Sequence, residues 1–128
     1  MGGSMRRKMF GVAALGLLAL FPLAASEAAA QGDAQAGAAV AKEQKCARCH
    51  GDTGKGDGPT AEKLKGKIEI LDWTDKAAMS KLTDDFLAEI TSKGGKAVGK
   101  SAIMPSYGTK LDNAQIQNLV TYIRSLAP

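Results

Sequence analysis

The sequence predicts an all-α domain, and three observations predict it. Near the C-terminus, Ile116, Leu119, Val120, Ile123 and Leu126 recur at spacings of three and four, which puts them on one apolar stripe of a helix. After Asp33, an alanine-rich stretch (Ala34, Ala36, Ala38, Ala39, Ala41) favours helix residue by residue. Between these ends, the alternation of polar and apolar residues over 67–70 is too short to define a strand.

Taken in order, the chain opens on Arg6, Arg7 and Lys8, an apolar run over 9–23, and a small-residue stretch ending Ala28-Ala29-Ala30. These are the three parts of a secretory signal. The expected division is residues 1–30 as signal peptide and 31–128 as the functional domain. A membrane anchor is the competing reading. Spanning takes ~20 apolar residues, and this run is shorter and carries Pro22. Met5 is an alternative start.

The first helix is expected from Asp33 to about Cys46, with Val40 on its apolar face. Residues 51–59 contain four glycines and end at Pro59, which makes them a loop. A short helix is expected over 60–65, stopped by Gly66, and another over 74–81 with Thr74 as N-cap. Thr83 caps a stronger one, with Asp84 and Asp85 in its first turn, Phe86, Leu87 and Ile90 on its apolar face, and Lys93-Gly94 at its end. Residues 94–108 form a long loop that carries Met104-Pro105. Asp112 caps the last helix, and Gln115 completes a capping box. The total is three to five helices.

Charge and composition narrow the function. After cleavage at Ala30 the remaining 98 residues hold fourteen Lys/Arg and twelve Asp/Glu, a net charge of +2. That is too mild for a nucleic-acid binder, and no basic stripe is interleaved with aromatics. The same residues include four aromatics, Trp73, Phe86, Tyr107 and Tyr122. A domain this small with so thin a core usually needs a metal, disulfides or a cofactor to hold it.

The cofactor is indicated at Cys46-Ala47-Arg48-Cys49-His50. This is C-x-x-C-H, the attachment pattern for c-type haem. Two thiols three residues apart reach the two vinyl-derived carbons of one porphyrin, and the next residue coordinates the iron through an imidazole nitrogen. Three rivals fit less well. A thioredoxin-like dithiol needs a preceding strand and a parallel sheet. A structural zinc site needs four ligands, and this chain has two cysteines and one histidine. A disulfide between Cys46 and Cys49 closes too small a loop to stabilise a domain much.

Cys46–His50, the following Gly54-Lys55-Gly56-Asp57-Gly58-Pro59, the segment Asp72-Trp73-Thr74-Asp75, and Met104-Pro105 before an amphipathic C-terminal helix together resemble a class I monohaem cytochrome c of the bacterial soluble type. The resemblance covers about 33–126. It implies crossing N- and C-terminal helices, with the others wrapped around one covalently bound haem. One departure stands out. In the family, a glycine and an aromatic of the first helix pack against an aromatic of the last. Here Gly37 is offset by one residue and no aromatic precedes Cys46 in the helix, which leaves Tyr122 to pack against Gly37 or Ala38.

The second iron ligand is open to several groups, because His50 is the single histidine. After the signal the methionines are Met79 and Met104. Met104 sits on a loop before a stiff proline, 54 residues beyond His50, and the resemblance also points to it. Met79 falls in a helical pattern and reads as core. An open or lysine-ligated iron completes the alternatives. By resemblance, the carbonyl of Pro59 accepts the other N–H of His50. Trp73 is expected either to donate its indole N–H to a haem propionate or to fill the core, and Tyr107 either to line the pocket or to be an ordinary loop residue. Lys42, Lys45, Arg48, Lys55 and Lys100 form a positive rim or simply a solvated surface.

His/Met ligation leaves no open iron position and a raised potential. The expected function is therefore single-electron transfer in the periplasm, between redox partners such as a membrane complex, a dehydrogenase, an oxidase or a reductase. The expected protein is not an enzyme, and it meets the membrane only through partners or an uncleaved signal. The alternatives are a fixed haem c subunit of a multi-protein oxidoreductase, and a haem enzyme or sensor with an open iron.

Overall fold

Asp33 opens the first described helix. Its carboxylate accepts from the backbone N–H groups of Gln35 and Ala36 at 2.7 and 3.0 Å, capping the first helix, α1 (Ala34–Glu43). A computed structural model describes residues 32–127. The expected signal peptide, residues 1–30, lies outside the described residues. Beyond α1 the helices are α2 (Ala47–His50), α3 (Pro59–Lys63), α4 (Lys76–Met79), α5 (Asp84–Lys93) and α6 (Asn113–Ser125), with a 3₁₀ turn at Gly95–Val98. No strand is present among the described residues. The all-α expectation holds, and the count exceeds three to five because α2, a single turn, is a separate helix that the sequence reading did not anticipate.

Two boundaries differ from the sequence reading. The first helix stops at Glu43 rather than near Cys46. Lys45 adopts a left-handed conformation (φ 58), and Cys46 N–H reaches back to the Ala41 carbonyl at 2.9 Å while Lys45 N–H bonds to that of Lys42 at 3.1 Å. These two bonds make a Schellman stop, which normally announces itself by a glycine. A lysine there gives no sequence signal. The left-handed region costs a side-chain-bearing residue ~1–2 kcal/mol, partly offset by the extra freedom glycine has when unfolded. Lys45→Gly is therefore expected to stabilise the protein by about 0.5–1 kcal/mol, read as a higher denaturant midpoint at unchanged slope. A lower midpoint would contradict this account of the turn.

The second boundary is α4. Its N-cap is Asp75, whose carboxylate accepts from Ala78 N–H at 3.0 Å. Thr74 does not cap the helix. Its amide and hydroxyl both donate to the Asp72 carboxylate, at 2.7 and 2.6 Å. These two bonds, the hydroxyl's first, hold the Asp72 carboxyl below its ordinary pKa. α3 starts one residue before and ends two residues before the expected 60–65, while the N-caps of α5 and α6 behave as expected. Thr83 caps α5 through Phe86 N–H, and Asp112 and Gln115 form the reciprocal capping box of α6.

The core is the buried stripe of α6 (Ile116, Leu119, Val120, Ile123) packed with Val40, Ala41, Leu87, Leu111, Met79 and Trp73. α1 crosses α6 at Gly37. A side chain there would meet the backbone carbonyl of Asn118, and its Cβ would lie 2.7 Å from Tyr122 Cβ. The expected packing of Tyr122 is thus met at Gly37, with the missing hydrogen-for-methyl bulk letting the two backbones touch. Gly37→Ala would force the helices apart, since the first obstacle is backbone. The expected loss is about 3 kcal/mol, measured by chemical denaturation. A variant as stable as the parent would mean the helices do not cross here.

Arg124, which the sequence reading passed over, ties α6 to the α4–α5 corner. Its guanidinium donates to the carbonyls of Met79 and Leu82 at 2.7 and 2.6 Å and pairs with Asp84 at 2.7 Å. None of the helices among the described residues is long and apolar enough to cross a membrane.

Candidate functional site

The Schellman turn at Lys45 swings the chain so that α2 forms one wall of a cavity of about 710 Å³. That volume is of the size that cofactor sites occupy. Much of its wall is also the hydrophobic core: Leu87, Leu111, Leu119, Ile123 and Trp73 belong to both. Cys46, Cys49 and His50 line it from α2. Met104 and Tyr107 line it from the loop after α5, and residues 67–71 complete the wall.

Each functional group has a distinct electrostatic state. Cys46 and Cys49 are both free thiols. Burial pushes the Cys46 thiol up, against its own backbone hydrogen bond. Desolvation lowers His50 to about 4, so the imidazole is neutral at physiological pH and keeps a lone pair for a metal. Its Nδ1 is buried without a hydrogen-bond partner. Burial, and then the nearby Cys46 and Cys49, raise the Tyr107 hydroxyl.

The loop that carries Met104 is pinned to the end of α5. Gly95 N–H donates to the Met104 carbonyl at 3.0 Å, Tyr107 N–H to Thr91 at 3.0 Å, and Gly108 N–H to Ser92 at 2.9 Å. Ser106 Oγ donates to the same Ser92 carbonyl at 2.6 Å. Thr91 is itself buried and bonded to the Leu87 carbonyl, which anchors this side of the loop in the core.

The structure sorts the expected site residues. Cys46, Cys49, His50, Met104, Trp73 and Tyr107 all line the one cavity. Met79 does not; it is 2% exposed in the core. Pro59 is the first residue of α3, and His50 Nδ1 has no hydrogen-bond partner among the described residues. Trp73 lies flat on His50, with ring centroids 4.0 Å apart and 17° between planes. Of the expected cationic rim, Lys45 and Lys100 line the cavity and Lys42, Arg48 and Lys55 do not. Lys67 joins them, a residue that carried no signal because its segment has no regular structure.

An all-α shell around one apolar cavity, with C-x-x-C-H on its wall, defines the haem c-binding class of protein. The family model described as cytochrome c matches residues 34–127, and the chain belongs to that family. No curated protein and no solved structure matches the chain. The family carries covalently attached haem c and transfers electrons through it. The residues present fit that group: two unpaired thiols within one helical turn, a neutral imidazole with an unpartnered buried nitrogen, and a cofactor-sized apolar cavity.

Proposed function

We propose that the protein is an exported single-electron carrier. In this reading residues 1–30 are a signal peptide and 31–128 the cytochrome domain. Cys46 and Cys49 hold the haem by thioether bonds, and His50 and Met104 are its axial ligands. The observation that carries the reading is that His50 and Met104 reach one cavity from two independently anchored elements, α2 and the loop tied to Thr91 and Ser92.

Haem c, when bound, supplies a reversible one-electron iron couple. The chain's residues do the rest. Leu87, Leu119 and Ile123 keep water from one wall. Burial holds His50 neutral, the form that coordinates. With haem bound, the Met104 thioether would ligate the iron and favour its reduced state, which would leave no place for a small-molecule substrate at the metal. The protein is therefore read as a carrier and not an enzyme. Exposed Lys45, Lys67 and Lys100 rim the cavity, with Glu69 as the accompanying carboxylate. This favours brief encounters with acidic surfaces of periplasmic redox partners.

The test is an optical spectrum of the full chain, exported from a host with haem-maturation machinery. The expected product begins at Gln31, keeps its haem through denaturation, is low-spin in both oxidation states, and shows the ferric thioether–iron band. High-spin iron that takes carbon monoxide readily would replace this reading with an enzyme or sensor. Protein without attached haem would end it.

A further inference from the structure

We propose that Gly94-Gly95 is the seat that fixes where the Met104 thioether stands in the cavity. The inference rests on the reading of Met104 as an axial ligand.

A methionine side chain has three rotatable bonds and sets the position of its own sulfur poorly. A metal site needs such a ligand held by what surrounds it. Residues 100–107 form neither helix nor strand, so the stretch around Met104 has no ladder of its own. Gly95 supplies one. Its N–H donates to the Met104 carbonyl at 3.0 Å, and its carbonyl accepts from Lys100 N–H at 2.8 Å. One residue thus fastens the 100–104 stretch at both ends.

The fastening is close because no side chain intervenes. Gly95 is buried, and a Cβ there would meet the Ser101 carbonyl oxygen and lie 3.2 Å from Met104 Cβ. At Gly94 a Cβ would lie 3.0 Å from Ser106 N, 3.1 Å from the Met104 carbonyl oxygen and 3.2 Å from the Pro105 carbonyl carbon. The backbone of Met104, Pro105 and Ser106 therefore rests directly on Gly94. Gly94 also ends α5. Its φ of 83 and ψ of 164 fall in a region that is essentially glycine's alone, and its N–H donates to the Ile90 carbonyl at 2.9 Å. Leu87 and Thr91 bury α5, so the pair passes the position of that helix on to Met104. The first obstacle to a methyl at Gly95 is backbone, which gives way only by moving the loop. Gly66 has a similar φ of +78, but a Cβ there meets nothing within 4 Å, so it serves its turn and no more.

Two measurements on the haem-loaded full chain test this. In the ferrous wild type, a nuclear Overhauser contact is expected between a Gly94 α-proton and the Ser106 amide proton; its absence overturns the proposal. In the ferric state, added imidazole competes with the thioether, and loss of the thioether–iron band reports the displacement. Gly95→Ala is expected to take imidazole on the order of tenfold more tightly than the wild type, because a methyl forced against backbone strains the loop that holds the ligand. Gly66→Ala is the control, expected to lower the denaturant midpoint and leave the imidazole affinity unchanged. If Gly95→Ala fails to mature, Gly94→Ala carries the same test. A wild-type affinity in the glycine-pair variant, or a gain that Gly66→Ala shares, makes the pair an ordinary turn and overturns the proposal. A wild type that shows the band but lacks the contact rejects the seat alone, whereas a wild type without the band rejects the ligand reading along with it.

Discussion

Replacing Cys46 and Cys49 together by serine is expected to leave a haem-free chain without its native fold. The reason is where the cavity sits. Its wall includes Leu87, Leu111, Leu119, Ile123 and Trp73, which are also half of the buried core. At ~24 cal/mol per Å³ of unfilled volume, 710 Å³ amounts to an upper bound of about 17 kcal/mol. The whole stability of a domain is ~5–15 kcal/mol. Collapse of the walls recovers part of the loss, but it cannot do so while α5, α6 and the 67–71 segment keep their places. The serine chain should therefore retain some helix, lose its near-ultraviolet circular dichroism, bind hydrophobic dyes, and melt without a cooperative transition. The thiols themselves are not what is missed. Burial raises Cys46, so it is a neutral group of nearly serine's size, and the effect comes from the absent haem. A haem-free serine chain that unfolds cooperatively would show that the core stands without its cofactor.

That dependence was legible in the sequence before any geometry. Four aromatics in 98 residues announced a core too thin for its length, and the C-x-x-C-H run said what thickens it. The helix ends at Asp33, Thr83 and Asp112 were also readable, because each is set by a side chain bonding to amides two or three residues on. Local chemistry of that kind is written in adjacent residues. What stayed hidden depends on tertiary context. Lys45 takes a conformation that sequence patterns assign to glycine. Thr74 and Asp75 are both good caps, and the choice was made by Asp72 capturing Thr74 first. The arrangement of Trp73 on His50 joins residues 23 apart through a loop whose closure turns on Gly54, and nothing in the spacing encodes it. Arg124 drew no reading at all from the sequence. Its three acceptors come from residues 40 to 45 positions away.

Met104→Ala is expected to change the iron and leave the fold nearly as it is. The bonds that hold the loop run through backbone and neighbours: Gly95 to the Met104 carbonyl, Tyr107 to Thr91, and Gly108 and Ser106 to Ser92. Alanine keeps all of them, and Met104 is only half-buried, so the structural cost is small. The thioether is what goes. A vacant axial position should give high-spin ferric iron, loss of the thioether–iron band, and ready binding of carbon monoxide by the ferrous form. The reduction potential should fall by roughly 0.2 V, well inside the ~0.8 V range that axial ligands span. For one electron, that is about 4.6 kcal/mol of lost preference for the reduced state. Met79→Leu is the control. Met79 is buried away from the cavity, so this near-isosteric swap should cost less than about 1.5 kcal/mol and leave spectrum and potential unchanged. The pair of variants separates ligation from packing, since both remove a methionine sulfur and only one is placed to touch iron. Should Met104→Ala keep a low-spin haem at the parent potential, another side chain from the cavity wall holds the sixth position. Lys100, four residues before Met104 on the same loop, would then be the first to replace.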